Sequence, residues 1–351
     1  MAFIIHAVTS YPQSIISQDE IKKFLKKGWP EQAAFIDQFM DSTTVQKRHF
    51  TLPLERYQDL GDMGNRNKIW KDEALRLQKE NITKIFAETK IDIADIGLIA
   101  SATTTGLAVP SLEALIMNHF PFSPDTKRLP LFGLGCLAGV AGINRVNDYL
   151  VGHPSSAAIL MLTELCSLTF QVEDKRVANI IGTSLFGDGS GAVLLVGKDH
   201  PMVKHASFEI LATGSTFYPN TERLMGWDIV KDGFQINLSS DIPSLVKEHV
   251  GRNIDDFLSK NKITRERISY YIAHPGGPKV LEALCETMGF NREKLSLSWE
   301  SLSNYGNTSA TSVINVLEQT IRTTNIALNS LGIMMAMGPA FSLELNLVRK
   351  C

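Results

Sequence analysis

The stretch RLPLFGLGCLAGVAGINRVNDYL, residues 128–150, decides how the chain is read. Its first part, Arg128–Gly135, is apolar and reads as a strand; Cys136 follows, and small residues then run as a helix to about Leu150. A strand feeding a short turn and a helix is the repeating unit of an α/β fold. Upstream, Gln18–Lys27 and Ile69–Glu88 show helical spacing, and Ile96–Ala102 reads as a buried strand running into Thr103–Gly106. Downstream, Ala157–Leu165 and Gly191–Gly197 are apolar strands. Ser269–Ala273 is a strand that ends in His274, with a helix from near Pro278, and Asn307 stands before a helix over Ser309–Ile321. Leu331–Ala336 and Phe341–Val348 close the chain as strands. This alternation predicts largely parallel sheets covered on both faces. Cys136 and Asn307 each stand just ahead of a helix, which points to a duplicated chain with one half over 1–205 and the other over 206–351.

The bulk numbers narrow the function. The chain has 351 residues, 44% hydrophobic and 21% charged, which suits a large globular body. A net charge of −2 without a basic block argues against nucleic acid as a partner. The start, Met1 to Val8, has no basic leader and reads as a first strand. The longest apolar runs, near Leu129–Ile143 and Leu331–Phe341, are too short and too rich in glycine to span a bilayer. A cytoplasmic protein without integral membrane contact is therefore expected. Cys136, Cys166, Cys285 and Cys351 form no CxxC pair and no zinc spacing, so neither a disulfide framework nor a metal site is expected.

Three positions carry the chemistry. Cys136 sits at a strand-to-helix turn, where the helix dipole and a nearby imidazolium favour thiolate, and small neighbours leave room for a substrate. It reads equally as a small buried residue in tight helix packing. His274, in AHPGGPK (residues 273–279), is delivered to a strand end and can hydrogen-bond a substrate carbonyl, or serve as a satisfied structural histidine. Asn307, before Thr308 and Ser309, has the look of a helix cap. Together, however, the three supply a nucleophile, a base partner and an oxyanion donor.

With these residues the sequence resembles a type III polyketide synthase of the thiolase-like condensing-enzyme superfamily, over roughly Ala2 to Val348. The resemblance rests on Gly135-Cys136 with Gly139, LFGDG (185–189), HPGGP (274–278) and YGN (305–307), and on the spacing of Cys136, His274 and Asn307. Ketosynthases III usually show His-Gln-Ala-Asn where this chain has His-Pro-Gly-Gly. The resemblance implies a duplicated five-layer α-β-α-β-α sandwich, a homodimer, and acyl-CoA and malonyl-CoA as substrates with no metal or redox cofactor. It implies that Cys136 carries the acyl chain while His274 and Asn307 stabilise the enolate left by decarboxylation. Phe186 matches the aromatic that screens the reaction chamber from the CoA tunnel. Thr104, Cys166, Leu168, Thr169, Ile236 and Ser309 match chamber-lining positions, each of which is equally ordinary core. Asp188 reads as structural, bonding turn amides. The loop Thr105–Pro110 falls at the subunit interface, with Val109 reaching toward the partner's chamber.

The chain also departs from the family. Ile236 stands where plant-type members commonly carry a second gatekeeping Phe. Their basic residues near the CoA phosphates are replaced by Phe35, Gln38 and Ser42, which shifts CoA binding to Gly276, Gly277 and Lys279 or another cation. The usual Gly-Pro-Gly near the C-terminus reads Gly338-Pro339-Ala340, so a somewhat different turn is expected. Residues 225–228 and 233–234 resemble the bacterial branch that takes fatty-acyl starters and makes alkylpyrones or alkylresorcinols. The alternatives are a ketosynthase III-like enzyme that elongates once, and an inactive lipid-binding relative.

Overall fold

The computed structural model describes residues 1–323 and 325–351. Among the described residues there are thirteen strands. They are β1 (Ala2–Ser10), β2 (Ser14–Ser17), β3 (Lys47–Phe50), β4 (Ile96–Thr103), β5 (Lys127–Phe132), β6 (Ala157–Leu165) and β7 (Asp188–Gly197). The remainder are β8 (Phe208–Phe217), β9 (Met225–Val230), β10 (Gly233–Leu238), β11 (Ile268–Ala273), β12 (Leu331–Gly338) and β13 (Ser342–Lys350). Nine of them form one sheet in the order β11-β12-β13-β8-β1-β7-β6-β4-β5, while β2-β3 and β9-β10 stand apart as two-stranded pairs.

The sheet is mixed, which corrects the expectation of largely parallel pairing. Only β4 with β5 and β6, and β11 with β12, run parallel. The remaining neighbours are antiparallel. The physical reason is plain at β12 and β13: they are joined by Pro339–Phe341 alone, and so short a link cannot make the crossover that parallel strands need. Ala340 adopts the left-handed φ of 77° there, so the turn keeps a glycine-like conformation despite its Cβ. The duplication is visible in the topology, because β4-β6-β7-β1 and β11-β12-β13-β8 share one order and one sequence of strand directions. The two series meet through a short β1–β8 contact, Phe3 opposite Glu209 and Ile4 opposite Phe208.

Side-chain alternation along these strands divides the core into layers. In β6, Ala158, Leu160 and Leu162 face a central cluster, and Ile159, Met161 and Leu165 face an outer one. In β12, Met334 and Ala336 face the same central cluster, while Ile333, Met335 and Met337 face a third. The central layer is built on two helices, Ala138–Gly152 and Ala310–Arg322, buried on nearly all sides. The Met63–Thr89 helix covers one outer face, and Gly251–Lys260 and Pro278–Met288 cover the other. The result is the five-layer α-β-α-β-α sandwich of the thiolase type. Among the described residues no helix is long and apolar enough to cross a membrane.

Strand bounds differ from the sequence reading by one or two residues at β4, β11, β12 and β13, and by three at two other strands. The strand before Cys136 ends at Phe132 instead of Gly135, because Gly133 and Gly135 take φ of 87° and 53° and bend the chain into a short 3-10 turn, Gly135–Leu137. As the sheet edge, β5 is also largely exposed. The other strand, β7, begins three residues earlier than expected, at Asp188.

Candidate active site

Three chain ends converge on one cavity of about 310 Å3, lined among others by Cys136, His274, Asn307, Gly276, Gly277 and Lys279. Cys136 enters from the turn after β5, His274 from the end of β11, and Asn307 from the loop ahead of the 310–322 helix. All three are buried. The small residues after Cys136 serve packing more than substrate access. A Cβ on Gly139 would stand 2.3 Å from Val313 Cγ1 and 2.7 Å from the Ala310 carbonyl, so this glycine lets the two central helices touch.

Asn307 is not the helix cap. Ser309 holds that position at a strained φ of 50°, without a side-chain cap bond. The Asn307 side chain is fixed at both ends: Oδ1 accepts from the Ser309 N–H at 2.8 Å, and Nδ2 donates to the Gly276 carbonyl at 2.9 Å. An amide has two N–H donors, so one remains for a ligand in the cavity. The backbone of Asn307 bridges to the segment around Phe186, with its N–H on the Leu185 carbonyl and its carbonyl accepting from Gly187 N–H.

The expected partnership of Cys136 with His274 is not a hydrogen bond in this structure. Cys136 Sγ contacts Ser309 Oγ at 3.6 Å, and both ring nitrogens of His274 lack a partner. Burial pushes the Cys136 thiol up to about 12, with the Glu164 carboxylate adding to the rise. Burial also pulls the His274 imidazole down to about 4. Burial thus works against the charged form of both groups and opposes the thiolate that the helix dipole favours.

Glu164 is the site residue that sequence reasoning missed. It is fully buried near the end of β6 and accepts from Thr104 N–H and Oγ1, Thr105 Oγ1 and Ser309 Oγ, at 3.2, 3.1, 2.9 and 3.4 Å. Burial raises its carboxyl to about 7 against these four donors. A signal was present: it is the one charged residue in the buried strand AAILMLTEL, whose other residues are apolar except Thr163. A carboxyl, three hydroxyls and the thiol thus form a network that can hold or pass a proton beside the sulfur.

The residues expected to line a chamber separate into groups. Cys166, Thr169, Phe186 and Ile236 share a second, apolar cavity with only about 30 Å3 of open space. Trp227 lines it too and packs on Phe186 at 6.4 Å between ring centroids. Thr104 and Ser309 instead belong to the Glu164 network. Leu168 lies in a separate small crevice with Arg66 and Phe234. Asp188 is structural, but its bonds are long-range: it accepts from Thr51 and Ser167 and not from its own turn. Cys285 is half-buried and Cys351 exposed, and both lie outside the two cavities.

Fold and cavity together define a condensing acyltransferase of the thiolase type. Residues 23–224 match the family described as FAE1/type III polyketide synthase-like protein, and residues 209–351 match the C-terminal domain of chalcone and stilbene synthases. The chain belongs to the type III polyketide synthase family. It is 38% identical to a 1,3,6,8-tetrahydroxynaphthalene synthase of Streptomyces peucetius, over 90% of this chain and 84% of that one. It is 35% identical to a putative chalcone synthase of Bacillus subtilis, over 99% and 98%. The crystal structure of 1,3,6,8-tetrahydroxynaphthalene synthase from Streptomyces coelicolor shares the fold with a TM-score of 0.94, at 24% identity and 99% coverage of both chains.

Proposed function

We propose that the enzyme condenses malonyl-CoA onto an acyl-CoA starter in repeated rounds, with Cys136 as nucleophile and His274 and Asn307 as its partners. The observation that carries this is the convergence of a thiol, an imidazole with both nitrogens free and an amide with a spare N–H on one cavity. His274 accepts the Cys136 proton as sulfur attacks the starter thioester, and the CoA thiolate leaves with a proton. Malonyl-CoA then places its thioester carbonyl on His274 and the free Asn307 N–H. Its carboxylate departs as carbon dioxide, and the electron pair of the broken C–C bond delocalises onto that carbonyl as an enolate. The enolate carbon attacks the acyl-Cys136 carbonyl, and sulfur leaves as thiolate. Donors to such an oxyanion are each worth about 3–4 kcal/mol of barrier. The scheme needs no metal or redox cofactor. Lys279 is exposed at the cavity mouth beside Gly276 and Gly277, a suitable cation for the CoA phosphates.

We further infer a fatty-acyl starter and an alkylpyrone or alkylresorcinol product. Supporting this is the apolar wall behind Ile236, which includes Ile21, Phe24, Phe50, Leu54 and Phe170. Each methylene buried there is worth about 0.8 kcal/mol. A second reading, a small polyhydroxylated aromatic product, is favoured by the little open space beside Trp227 and by the tetrahydroxynaphthalene and phloroglucinol synthases among the relatives. Mass spectrometry of products from a panel of acyl-CoA starters with malonyl-CoA separates the two. Products that keep each starter's alkyl chain support the first reading, and one product mass regardless of starter sinks it.

The enzyme is proposed to act as a homodimer. Val109 is fully exposed, with Leu107 and the edge-strand residue Phe132 also exposed, an apolar group that a second copy would cover. Light scattering should report about twice 38.8 kDa, and a stable monomer would refute it.

A further inference from the structure

Arg48 is fully buried, which is rare for an arginine without an acidic partner. All three of its acceptors are carbonyl oxygens. One guanidinium nitrogen donates to Thr183 at 2.8 Å and Phe186 at 3.2 Å, the other to the Gln18 side chain, and Nε has no partner. Gln18 in turn donates to the Ser184 carbonyl at 3.1 Å. The pair therefore caps the C-terminal end of the Val177–Leu185 helix, where unpaired carbonyls and the helix dipole favour a cation.

The arginine stem has a second role. A Cβ on Gly187 would stand 3.1 Å from Arg48 Cβ and 2.5 Å from the Tyr305 carbonyl. At Gly306, whose φ is 68°, it would stand 3.6 Å from Arg48 Cβ and 2.6 Å from the Leu185 carbonyl. Both glycines are the neighbours of the bridged pair, Phe186 and Asn307. The two backbones can lie against each other and against Arg48 only because neither carries a side chain there.

We propose that Arg48 is a positioning residue for the condensation: by pinning the end of the 177–185 helix and filling the space along Gly187 and Gly306, it fixes the backbone that presents the Asn307 amide. This rests on the role given to Asn307 above. A misplacement of about 1 Å at such a group costs about 10²-fold in rate.

The test compares Arg48→Met and Arg48→Lys with Asn307→Ala in the full-length enzyme. Two rates are read: carbon dioxide release from malonyl-CoA alone, and alkylation of Cys136 by iodoacetamide, with Cys136→Ala as the blank. Arg48→Met should slow carbon dioxide release by about 10- to 100-fold while alkylation stays within about twofold. Arg48→Lys, which keeps stem and charge but loses the fork, should recover part of the loss. If Arg48→Met does not fold, Arg48→Lys decides alone: slowed release with unchanged alkylation supports the proposal. Unchanged release, or an equal fall in both rates, overturns it. Normal release by Asn307→Ala would remove the role of Asn307 itself and this proposal with it, so the variant that behaves normally shows which reading failed.

Discussion

The three polar side chains of the main cavity and the wall of the inner one stand on different kinds of structure. Cys136, His274 and Asn307 are carried by the turn after β5, the end of β11 and the loop ahead of a central helix, although their cavity is closed on its other side by Ile181 and Leu185 of the 177–185 helix and by Met225 and Leu238 of the β9–β10 hairpin. The inner cavity is walled by Phe186, by the 177–185 helix and by Trp227 and Ile236 of the β9–β10 hairpin, which pairs with nothing in the main sheet. We therefore place the proposed chemistry on the rigid main-sheet ends and the proposed selectivity on the detached β9–β10 hairpin. Positions on the first should be intolerant of change, whereas positions on the second should alter what is made before they alter whether anything is made.

The largest effect should come from Cys136→Ala, which removes the nucleophile from the rigid cavity. Polyketide should fall by at least about 10⁴-fold, with an unchanged circular dichroism spectrum. Product from this variant would end the comparison, because the thiol would then be no more essential than Cys166.

Asn307→Ala should be next. It removes a donor to the enolate and leaves sulfur in place, so a radiolabelled starter still loads on Cys136 while carbon dioxide release falls by about 10²–10³-fold. Normal release would show that the fixed amide has no part in the chemistry.

Ile236→Phe probes the detached wall. Ile236 Cδ1 lies 2.8 Å from where a Cβ on Gly182 would be, so a ring there must take space from the inner cavity. The ratio of kcat/KM for long over medium acyl-CoAs should fall by about tenfold, the worth of one to two methylenes, with total turnover on the best substrate little changed. An equal loss on all chain lengths would place Ile236 with the chemistry and remove the distinction between the regions.

The smallest effect concerns Glu164 and stability. Its folded pKa is raised from 4.5 to about 7, so its burial favours the folded state below about 4.5 and that contribution is lost as pH rises through 7. Glu164→Gln does not titrate. Its Tm relative to the wild type should therefore climb by a few degrees between pH 5 and pH 8, corresponding to at most about 3 kcal/mol. A pH-independent difference would mean that the four donors hold the carboxylate ionised throughout.

Local sequence was informative where a residue's role follows from its neighbours along the chain. Cys136, His274 and Asn307 each lie at the junction of an apolar strand or helix with small or turn-forming residues, and that junction is what carries a side chain to a cavity. Strand positions followed for the same reason: β6 matches its expected span residue for residue, since a strand buried on both faces reads as a near-continuous apolar run. Glu164 and Arg48 were not legible in this way. Their partners lie from 30 to 145 residues away along the chain, for example Thr104 and Ser309 for the first and Gln18 and Phe186 for the second.

The sequence by itself determined the alternation of strands and helices, the three positions that meet at one cavity and the family. Periodicity, turn chemistry and residue type are local properties that survive in a linear string. Only the tertiary structure decided strand direction, the burial that works against charge on Cys136 and His274, the division of the expected chamber residues between two cavities, and the buried charges that brace them. Each of these depends on which distant backbone and side-chain groups share a dry interior. Desolvation and hydrogen bonding act through space, whatever the separation along the chain.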